Sequence, residues 1–208
     1  GNVLRNKTYP ISVSSERTFQ ALAIVRYAKE IGADALAHGS TGAGNDQVRF
    51  DLCFSVFAPG MEIITPTRDL KLSREEEIAY LRSKGVERDW SKMAYSINKG
   101  LWGTSVGGCE TLSSHLYLPE EAYPSAAWKA GEETLTLSFE RGELCAVNGE
   151  RYTSKIEAIR QVEALAGGWA IGRDTHVGDT IVGIKGRVGF EAAAPLIIIK
   201  AHELLEKH

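Results

Sequence analysis

The sequence lacks the cysteine pattern of a metal centre or a disulfide scaffold. Its three cysteines are odd in number and far apart, with no Cys-x-x-Cys pair; they are Cys53, Cys109 and Cys145. Reduced thiols of this kind are typical of a cytoplasmic protein. Long apolar runs are absent as well, since Lys200 interrupts the longest candidate, around Ile197–Ile199. We therefore expect no structural zinc, no disulfide framework and no membrane as a partner.

An excess of charge of one sign is also missing. The 24 basic and 27 acidic residues give a net charge of −3, whereas a duplex-binding protein needs a basic face, so we expect no nucleic acid partner. The glycines near residue 40 fit neither common phosphate-binding pattern. Gly44 precedes Asn45 instead of Lys-Ser or Lys-Thr, and Gln47 replaces the third small residue of a dinucleotide loop.

Helix and strand signals alternate in residues 1–88. Caps, glycine stops and short apolar runs predict helices at 14–32 and 73–85, strands at 33–38 and 61–65, and between these strands a helix capped by Asn45 or Asp46. The apolar positions of the first helix are Phe19, Leu22, Ile24 and Val25. The last helix opens with the capping box Ser73–Glu76. Such alternation favours an α/β domain whose parallel sheet is covered on both faces.

Residues 89–208 have a different pattern. Periodicity is weak as far as about Pro124, and beyond it we predict strands at 134–139 and 144–147, turns at 141–142 and 148–149, a helix at 154–167, a strand at 180–188 and a helix at 192–207. This mixture predicts an α+β domain that begins near residue 89. Because the chain begins at Gly1 and ends at His208 within the last predicted helix, we expect it to be a piece of a longer protein.

The segment of most unusual composition is His38–Phe50, where a predicted strand meets a predicted helix. Ligands bind at such strand ends in open α/β sheets, and glycines let them approach the backbone. Asn45 offers a donor and an acceptor, Asp46 can bind an ammonium group, and Arg49, one helical turn later, can bind a carboxylate. The alternative is a glycine turn with an Asx helix cap, which spacing alone leaves open. His38 has no nearby His or Cys, so we expect it to pack or to hydrogen-bond.

Together with three other segments, this loop resembles the argininosuccinate synthase family. Its sequence, His-Gly-Ser-Thr-Gly-Ala-Gly-Asn-Asp-Gln-Val-Arg-Phe, is similar to the family's signature loop. Tyr9–Ser14, Tyr95–Ser105 and Gly183–Glu191 resemble further family blocks in matching order and spacing. The resemblance implies the later part of an adenine nucleotide alpha hydrolase-like domain at 1–88 and a truncated α+β synthetase domain at 89–208. It also implies a ligase of arginine biosynthesis that joins citrulline to aspartate, and a homotetramer in full-length members.

The resemblance implies these binding residues: Tyr9, Ser14, Asn45, Arg49, Ser96 and Ser105 for citrulline, Thr41, Asn45 and Asp46 for aspartate, and Gly39 for ATP, which Mg²⁺ accompanies. No acid, base, nucleophile or metal ligand is assigned. In the family reaction, adenylation of the citrulline ureido oxygen releases pyrophosphate, and the aspartate amine then displaces AMP. The protein mainly has to align two amino acids and neutralise phosphate charge. Taken singly, Tyr9 is better explained by packing, Ser14 by a helix cap, and Ser96 and Ser105 as ordinary loop residues; together with the glycine segment they favour a binding role.

The sequence departs from the family in two respects. A Ser-Gly-Gly-Leu-Asp-Thr-Ser loop of the ATP-pyrophosphatase type is absent, and family members are about twice as long, so we expect this chain alone to form no adenylate. Gly178 and Phe190 occupy the positions of a Glu and a Tyr that contact citrulline in many members. An α-ammonium group would then lack a partner unless Asp179 or Glu191 replaced the Glu; otherwise the substrate is an N-acylated citrulline.

Two rival hypotheses belong to other classes. The chain could be a non-catalytic remnant that binds amino acids or assembles with a separate nucleotide-binding chain. It could also be part of another ATP-pyrophosphatase ligase, such as an amide synthetase. Four side chains suited to two amino acids argue against the latter, namely Thr41, Asn45, Asp46 and Arg49.

Overall fold

A computed structural model describes residues 4–10, 14–42, 44–90 and 95–208. The chain divides into two compact units. Val13–Ala94 and Gly178–Gly186 form one, here called the α/β unit; Gly1–Ser12, Tyr95–Val177 and Arg187–His208 form the other, the α+β unit. In the part of the chain that is described, no helix has both the length and the apolar character needed to cross a membrane.

The helices are α1 (Ser14–Ile31), α2 (Asp46–Phe57), α3 (Pro66–Asp69), α4 (Arg74–Ser83), α5 (Lys155–Ala166) and α6 (Ala193–Glu206). The strands are β1 (Leu4–Arg5), β2 (Tyr9–Pro10), β3 (Ala35–Ala37), β4 (Glu62–Ile64), β5 (Ser96–Gly100), β6 (Gly103–Gly107), β7 (Leu137–Glu140), β8 (Glu143–Val147), β9 (Glu150–Arg151), β10 (Arg173–Asp179) and β11 (Lys185–Glu191). Short 3₁₀ turns occupy Cys109–Leu112, Glu120–Ala122 and Gly167–Trp169.

The α/β unit is built on a parallel strand pair. β3 and β4 run side by side with Leu36 opposite Ile63, and α2 makes the crossover between them, as parallel pairing requires. The core comprises Ala21, Val25, Ala28, Leu36, Cys53, Phe54 and Ala58. The predicted α/β class is therefore confirmed for this part of the chain.

The inner face of α1 differs from the predicted one. Phe19 is 70% exposed and Ile24 38% exposed, although both were expected to be apolar core positions. Ala21, Val25 and Ala28, spaced four and three residues apart, are the ones buried. Apolar residues lie on more than one side of α1, and the small alanines form the face that packs closely against α2. Periodicity found the helix but only part of its inner face, because Val25 is buried whereas Phe19 and Ile24 are exposed.

The predicted capping box of α4 is present. Ser73 N–H donates to Glu76 Oε2 at 2.7 Å, and Glu76 N–H donates to Ser73 Oγ at 3.3 Å. Two donors at the helix start are thus satisfied reciprocally. The helix ends just before Gly85, whose φ of 75° is the left-handed conformation that glycine adopts without strain.

The α+β unit contains an antiparallel meander, β7–β8–β9. Both of its predicted turns are confirmed: Arg141 and Gly142 have φ of 53° and 81°, and Asn148 and Gly149 have φ of 50° and 84°. Two successive positive φ values are what a two-residue hairpin turn needs. Helices α5 and α6 pack on this sheet around a core of Leu144, Val147, Ala158, Val162, Ala194 and Ile198.

A second sheet has the strand order β10–β11–β6–β5, and it corrects two sequence predictions. Residues 180–188 are not one strand: Thr180–Ile184 forms a turn, in which Thr180 N–H donates to Ile184 O at 2.8 Å, and β11 begins only at Lys185. The preceding strand β10 was not predicted, because its residues alternate poorly. The weakly periodic stretch after residue 89 contains the hairpin β5–β6, whose glycines weaken the strand signal.

A smaller correction concerns β7. Its predicted start at residue 134 is three residues early, since the strand runs from Leu137 to Glu140. Thr136 N–H donates instead to the side-chain oxygen of Asn148 at 2.9 Å. A side-chain acceptor therefore satisfies the amide that a longer ladder would have used.

Candidate functional site

The candidate site lies where β3 ends and α2 begins, within the α/β unit. His38 N–H donates to Ile64 O at 3.1 Å and so continues the strand pairing by one residue. The backbone then turns, with Gly44 N–H donating to Thr41 O at 3.4 Å, and α2 starts at Asp46. Gly39 and Thr41 are exposed. The predicted strand–loop–helix context of the glycine segment is thus present, and we refer to residues 39–44 as the glycine loop; Ala43 lies outside the described residues.

Asp46 lies between two guanidinium groups. Its Oδ2 accepts from Arg17 Nε and its Oδ1 accepts from Arg49 Nη1, both at 3.0 Å. The side chains of Arg17, Asp46 and Arg49 are 13%, 31% and 18% exposed. Hydrogen bonds between charged groups this far removed from water are stronger than surface pairs. The acid predicted for an ammonium and the base predicted for a carboxylate are therefore neighbours on one turn of α2.

Asn45 does not cap α2 with its side chain. It occupies the N-cap position with φ of −78° and ψ of −24° and makes no side-chain cap hydrogen bond. Its Oδ1 instead accepts from the backbone N–H of Ile181 at 2.6 Å, across 136 residues of sequence and within the same compact unit. The Asx-cap alternative is therefore wrong for Asn45. Its side-chain amide group keeps two donors for other partners.

His38 is the buried start of a polar network. Its side chain is 4% exposed; Nε2 lies 2.9 Å from Asp51 Oδ1, and Nδ1 accepts from the backbone N–H of Ser40 at 3.2 Å. Because Nδ1 accepts, the ring proton belongs on Nε2, which donates to Asp51. The ring also stacks on Phe50, with centroids 5.5 Å apart. The predicted packing and hydrogen-bonding role of His38 is confirmed.

Asp51 joins this histidine to α3. Its Oδ2 accepts from Arg68 Nη1 at 2.5 Å. Partial burial opposes ionisation, but the hydrogen bonds from His38 and Arg68 outweigh it and hold the pKa of Asp51 below its usual value. The carboxylate is therefore ionised at neutral pH and accepts two hydrogen bonds.

Of the other predicted site residues, three lie in the α+β unit. Tyr9 on β2 stacks on His176, with centroids 5.0 Å apart, and contacts Phe190 at 5.1 Å. Ser105 on β6 is 3% exposed and pairs in register with Phe190, while Ser96 is an exposed first residue of β5. Tyr9 and Ser105 are therefore both near Phe190. Ser14 begins α1, but its side chain lies outside the described residues.

The two acids considered as replacements for the missing Glu already have partners. Glu191 is 7% exposed, accepts from Ser125 Oγ at 2.9 Å and lies 3.5 Å from Arg173 Nε. Asp179 lies 3.5 Å from Lys185 Nζ, with both side chains more than half exposed at 61% and 71%. Glu191 is thus committed to a buried pair, whereas the Asp179 pair is a surface contact of little energetic weight.

Arg17, Asp51 and Arg68 were missed by sequence reasoning. Arg17 lies 29 positions before Asp46, and Arg68 lies 17 positions after Asp51. Only the fold brings these charges together. A single polar residue on a predicted helix, such as Arg17 or Asp51, is most simply explained as solvated, and Arg68 lies on α3, which was not predicted. No cluster of three or more His, Cys, Asp or Glu suited to a metal ion occurs in the described portions of the chain.

The chain therefore combines an α/β unit of nucleotide-binding type with an α+β unit. The description "Arginosuccinate synthase N-terminal HUP domain" matches residues 1–87, and "Arginosuccinate synthase C-terminal domain" matches residues 95–208. Since the second match alone covers more than half of the 208 residues, the chain belongs to the argininosuccinate synthase family.

Curated relatives agree with this family. The chain is 38% identical over 205 residues to an argininosuccinate synthase of Methanocaldococcus jannaschii, covering 96% of this chain and 51% of the relative. Identity is 40% over 207 residues to that of Dictyoglomus thermophilum, and 37% to that of Sulfolobus acidocaldarius, in both cases over 99% of this chain and 52% or 53% of the relative. The chain thus spans about half the length of these relatives.

Proposed function

We propose that this chain is the later part of an argininosuccinate synthase that ligates citrulline and aspartate at the cost of ATP, forming argininosuccinate, AMP and pyrophosphate. The observation that carries the proposal is the trio Asn45, Asp46 and Arg49 at the start of α2, which offers an amide, a carboxylate and a guanidinium. Two zwitterionic amino acids need groups of both signs, and this corner of the α/β unit supplies them.

Aspartate is proposed to bind to Thr41, Asn45 and Asp46, with Asp46 facing its ammonium group. Citrulline is proposed to bind to Asn45 and Arg49, together with Tyr9, Ser14, Ser96 and Ser105. Since Asp46 and Arg49 already pair at 3.0 Å, each amino acid would enter an existing ion pair and share its charge. A ready-made pair keeps both groups oriented before the substrates arrive.

ATP, carried as its magnesium complex, is proposed to approach the glycine loop at Gly39. A side chain at Gly39 would meet only Thr67 Oγ1, at 3.8 Å, which is ordinary contact, and the residue has no positive φ. Neither packing nor backbone conformation requires glycine there. The remaining reason for a glycine at position 39 is that a phosphate or an adenine ring can approach its backbone closely.

The proposed reaction has two balanced steps. The ureido oxygen of citrulline attacks the α-phosphorus of ATP, and pyrophosphate leaves. The aspartate amine then attacks the ureido carbon, the C–O bond to AMP breaks, and the amine loses a proton. Alignment and charge neutralisation supply the rate enhancement, which agrees with a site of donors and ion pairs.

We also propose a domain boundary near residue 88, with the nucleotide-binding domain before it and the synthetase domain at 89–208. The full-length protein is proposed to be a homo-oligomer, a tetramer, that works in the cytoplasm. Large exposed apolar side chains on α1 and α2 support a role for further polypeptide against the α/β unit; these are Phe19, Tyr27, Ile31, Leu52 and Val56.

Pyrophosphate release tests the proposed function. A full-length synthase that contains these 208 residues is expected to release pyrophosphate only when ATP, citrulline and aspartate are all present. The 208-residue chain alone, which has no Ser-Gly-Gly-type loop, is expected to release none. Turnover by the short chain would contradict its proposed dependence on that loop. Absence of three-substrate turnover in the long protein would overturn the ligase and favour an amino-acid-binding remnant.

A second candidate substrate is an N-acylated citrulline. Free citrulline is the preferred substrate; the acylated one applies if Asp179 and Glu191, which pairs with Arg173 and Ser125, both fail to replace the missing Glu. If the acyl substrate is correct, kcat/KM for N-acetylcitrulline should exceed that for citrulline by about tenfold or more, since a buried unpaired ammonium is costly. Equal or better use of free citrulline would dismiss the acylated substrate. Substitution of Asp179 by Asn would then show whether that acid holds the ammonium.

A further inference from the structure

A continuous series of hydrogen bonds connects both halves of the glycine loop to α2 and α3. Ser40 N–H donates to His38 Nδ1, and His38 Nε2 donates to Asp51. Arg68 Nη1 donates both to Asp51 Oδ2 and to Gln47 Oε1, the latter at 3.1 Å. Gln47 Nε2 donates to the carbonyl of Gly42. The series therefore starts on one loop backbone group and ends on another.

Each member of the series has only one consistent role. The amide N–H of Ser40 must donate, so His38 can offer a proton only from Nε2. Asp51 then receives two donors, from His38 and Arg68, and only a carboxylate accepts both. The oxygen of Gln47 faces the guanidinium, so its NH₂ faces the Gly42 carbonyl. Arg68 serves two acceptors from one nitrogen. A polar network this specific is stabilising only when every member is satisfied.

The series is buried at two of its side chains and partly exposed at the other two. The His38 side chain is 4% exposed and Gln47 is 7% exposed, while Arg68 and Asp51 are 30% and 33% exposed. Hydrogen bonds in such surroundings are worth more than exposed ones. Gly39 and Gly42, in contrast, are exposed and would sample many conformations if nothing held them.

We propose that Gln47, Asp51 and Arg68 are positioning residues, which act through His38 and the backbone to hold the glycine loop in its ligand-binding conformation. Because the loop is fixed at Ser40 and at Gly42, its conformational entropy is lost on folding and not on binding. The loop lies directly before Asn45 and Asp46, so the same bonds set where those side chains begin. The ligand part of this inference rests on the proposed function; the ordering of the loop does not.

Gln47→Glu is the most specific test. The substitution keeps the size of the side chain and an oxygen for Arg68, but it places a carboxylate oxygen against the Gly42 carbonyl. Hydrogen–deuterium exchange of the Ser40 amide in the 208-residue chain is expected to accelerate by about tenfold or more, as one charge-linked hydrogen-bond series is broken. Arg68→Lys should have the same effect, because an ammonium lacks the planar geometry that serves both acceptors.

Two controls separate positioning from folding. Gln161→Glu makes the same chemical change on α5 of the α+β unit and should leave Ser40 exchange unchanged. Amides in the interior of α2, such as Phe54, report on the fold of the α/β unit and should keep their protection in all variants. Equal acceleration of Ser40 and Phe54, or no acceleration of Ser40 by either loop variant, would overturn the proposal.

Aspartate titration of the full-length synthase separates this inference from the proposed function. Gln47→Glu and Arg68→Lys are expected to raise KM for aspartate by about tenfold with a smaller change in kcat, because they disorder the loop before binding. Faster Ser40 exchange in a protein that never uses aspartate would sink the proposed function and leave the loop-ordering role standing. Unchanged KM despite faster exchange would overturn the ligand part of the inference.

Discussion

Asp46→Asn is expected to raise KM for aspartate by about a hundredfold and to lower the free energy of unfolding by about 2 kcal/mol. Both carboxylate oxygens are in use, one by Arg17 and one by Arg49. An asparagine presents one oxygen and one NH₂, so one guanidinium would face a donor. Arg17 and Arg49, at 13% and 18% exposed, would then repel one another across a neutral group, and the incoming ammonium would lose its counter-charge.

Asp34→Asn is the matched control, because it removes the same charge from an exposed position before β3. Urea unfolding of the 208-residue chain measures the stability change, and steady-state kinetics of the full-length synthase measure KM. The free energy of unfolding of Asp34→Asn should differ from that of the unsubstituted protein by less than about 0.5 kcal/mol. If Asp46→Asn lost stability but kept its KM for aspartate, the ion pair would be structural only and the proposed aspartate site would be wrong.

Features that depend on a few adjacent residues were predictable from the sequence. The Ser73–Glu76 capping box and the Asn148–Gly149 turn are examples, since their hydrogen bonds or φ values are determined within four residues. The glycine segment before α2 was predictable for the same reason: its glycines and its amide, acid and base are contiguous. These local signals were enough for the α/β and α+β assignment.

Features that depend on distant partners were not predictable. The Asn45–Ile181 bond spans 136 positions, and the Arg68–Asp51 bond joins two different helices. A helical periodicity places Asp51 on α2, but it does not say that α3 will bring a guanidinium to it. The same limit explains why Asn45 was an equally good candidate for a helix cap. Side-chain capping is a local option, and a tertiary hydrogen bond replaced it.

The unpredicted contacts change how the candidate site is understood. Sequence alone suggests that Asp46 and Arg49 each bind a different substrate. In the fold, Asp46 forms ion pairs with both Arg49 and Arg17. A substrate ammonium would therefore meet a carboxylate that is already neutralised in part. If citrulline and aspartate bind here as proposed, each can supply the charge that the other displaces from the pair, and we expect their binding to be cooperative.

A large loss of stability in the α+β unit is expected from Gly172→Ala. Gly172 has φ of 76°, and an added Cβ would lie 2.7 Å from the carbonyl oxygen of Ala192 and 2.8 Å from its carbonyl carbon. The contact is with backbone, so no side chain can rotate away. Strain at positive φ costs about 1 kcal/mol, and a forced shift of packed backbone adds about 2 kcal/mol. We expect Gly172→Ala to lower the free energy of unfolding by about 3 kcal/mol in total.

The backbone opposite Gly172 has little freedom to move. Ala192 N–H donates to Gly172 O at 3.0 Å, and Ala194 N–H donates to Glu163 Oε2 at 2.9 Å. Ala192 is 2% exposed and Ala194 is fully buried. Any displacement of this first turn of α6 would break one of these bonds or open a void against α5, because interiors are closely packed.

Gly149→Ala is the control that isolates the contact from the strain. Gly149 has a similar φ of 84°, but an added Cβ would meet no atom within 4 Å. Gly149→Ala should therefore lower the free energy of unfolding by only about 1 kcal/mol, the cost of backbone strain. Urea unfolding followed by tryptophan fluorescence is suited to the comparison, since Trp102, Trp128 and Trp169 all lie in the α+β unit. Equal losses for the two variants would show that α6 can shift at no cost, and the close packing of Gly172 against Ala192 would not be a determinant of stability.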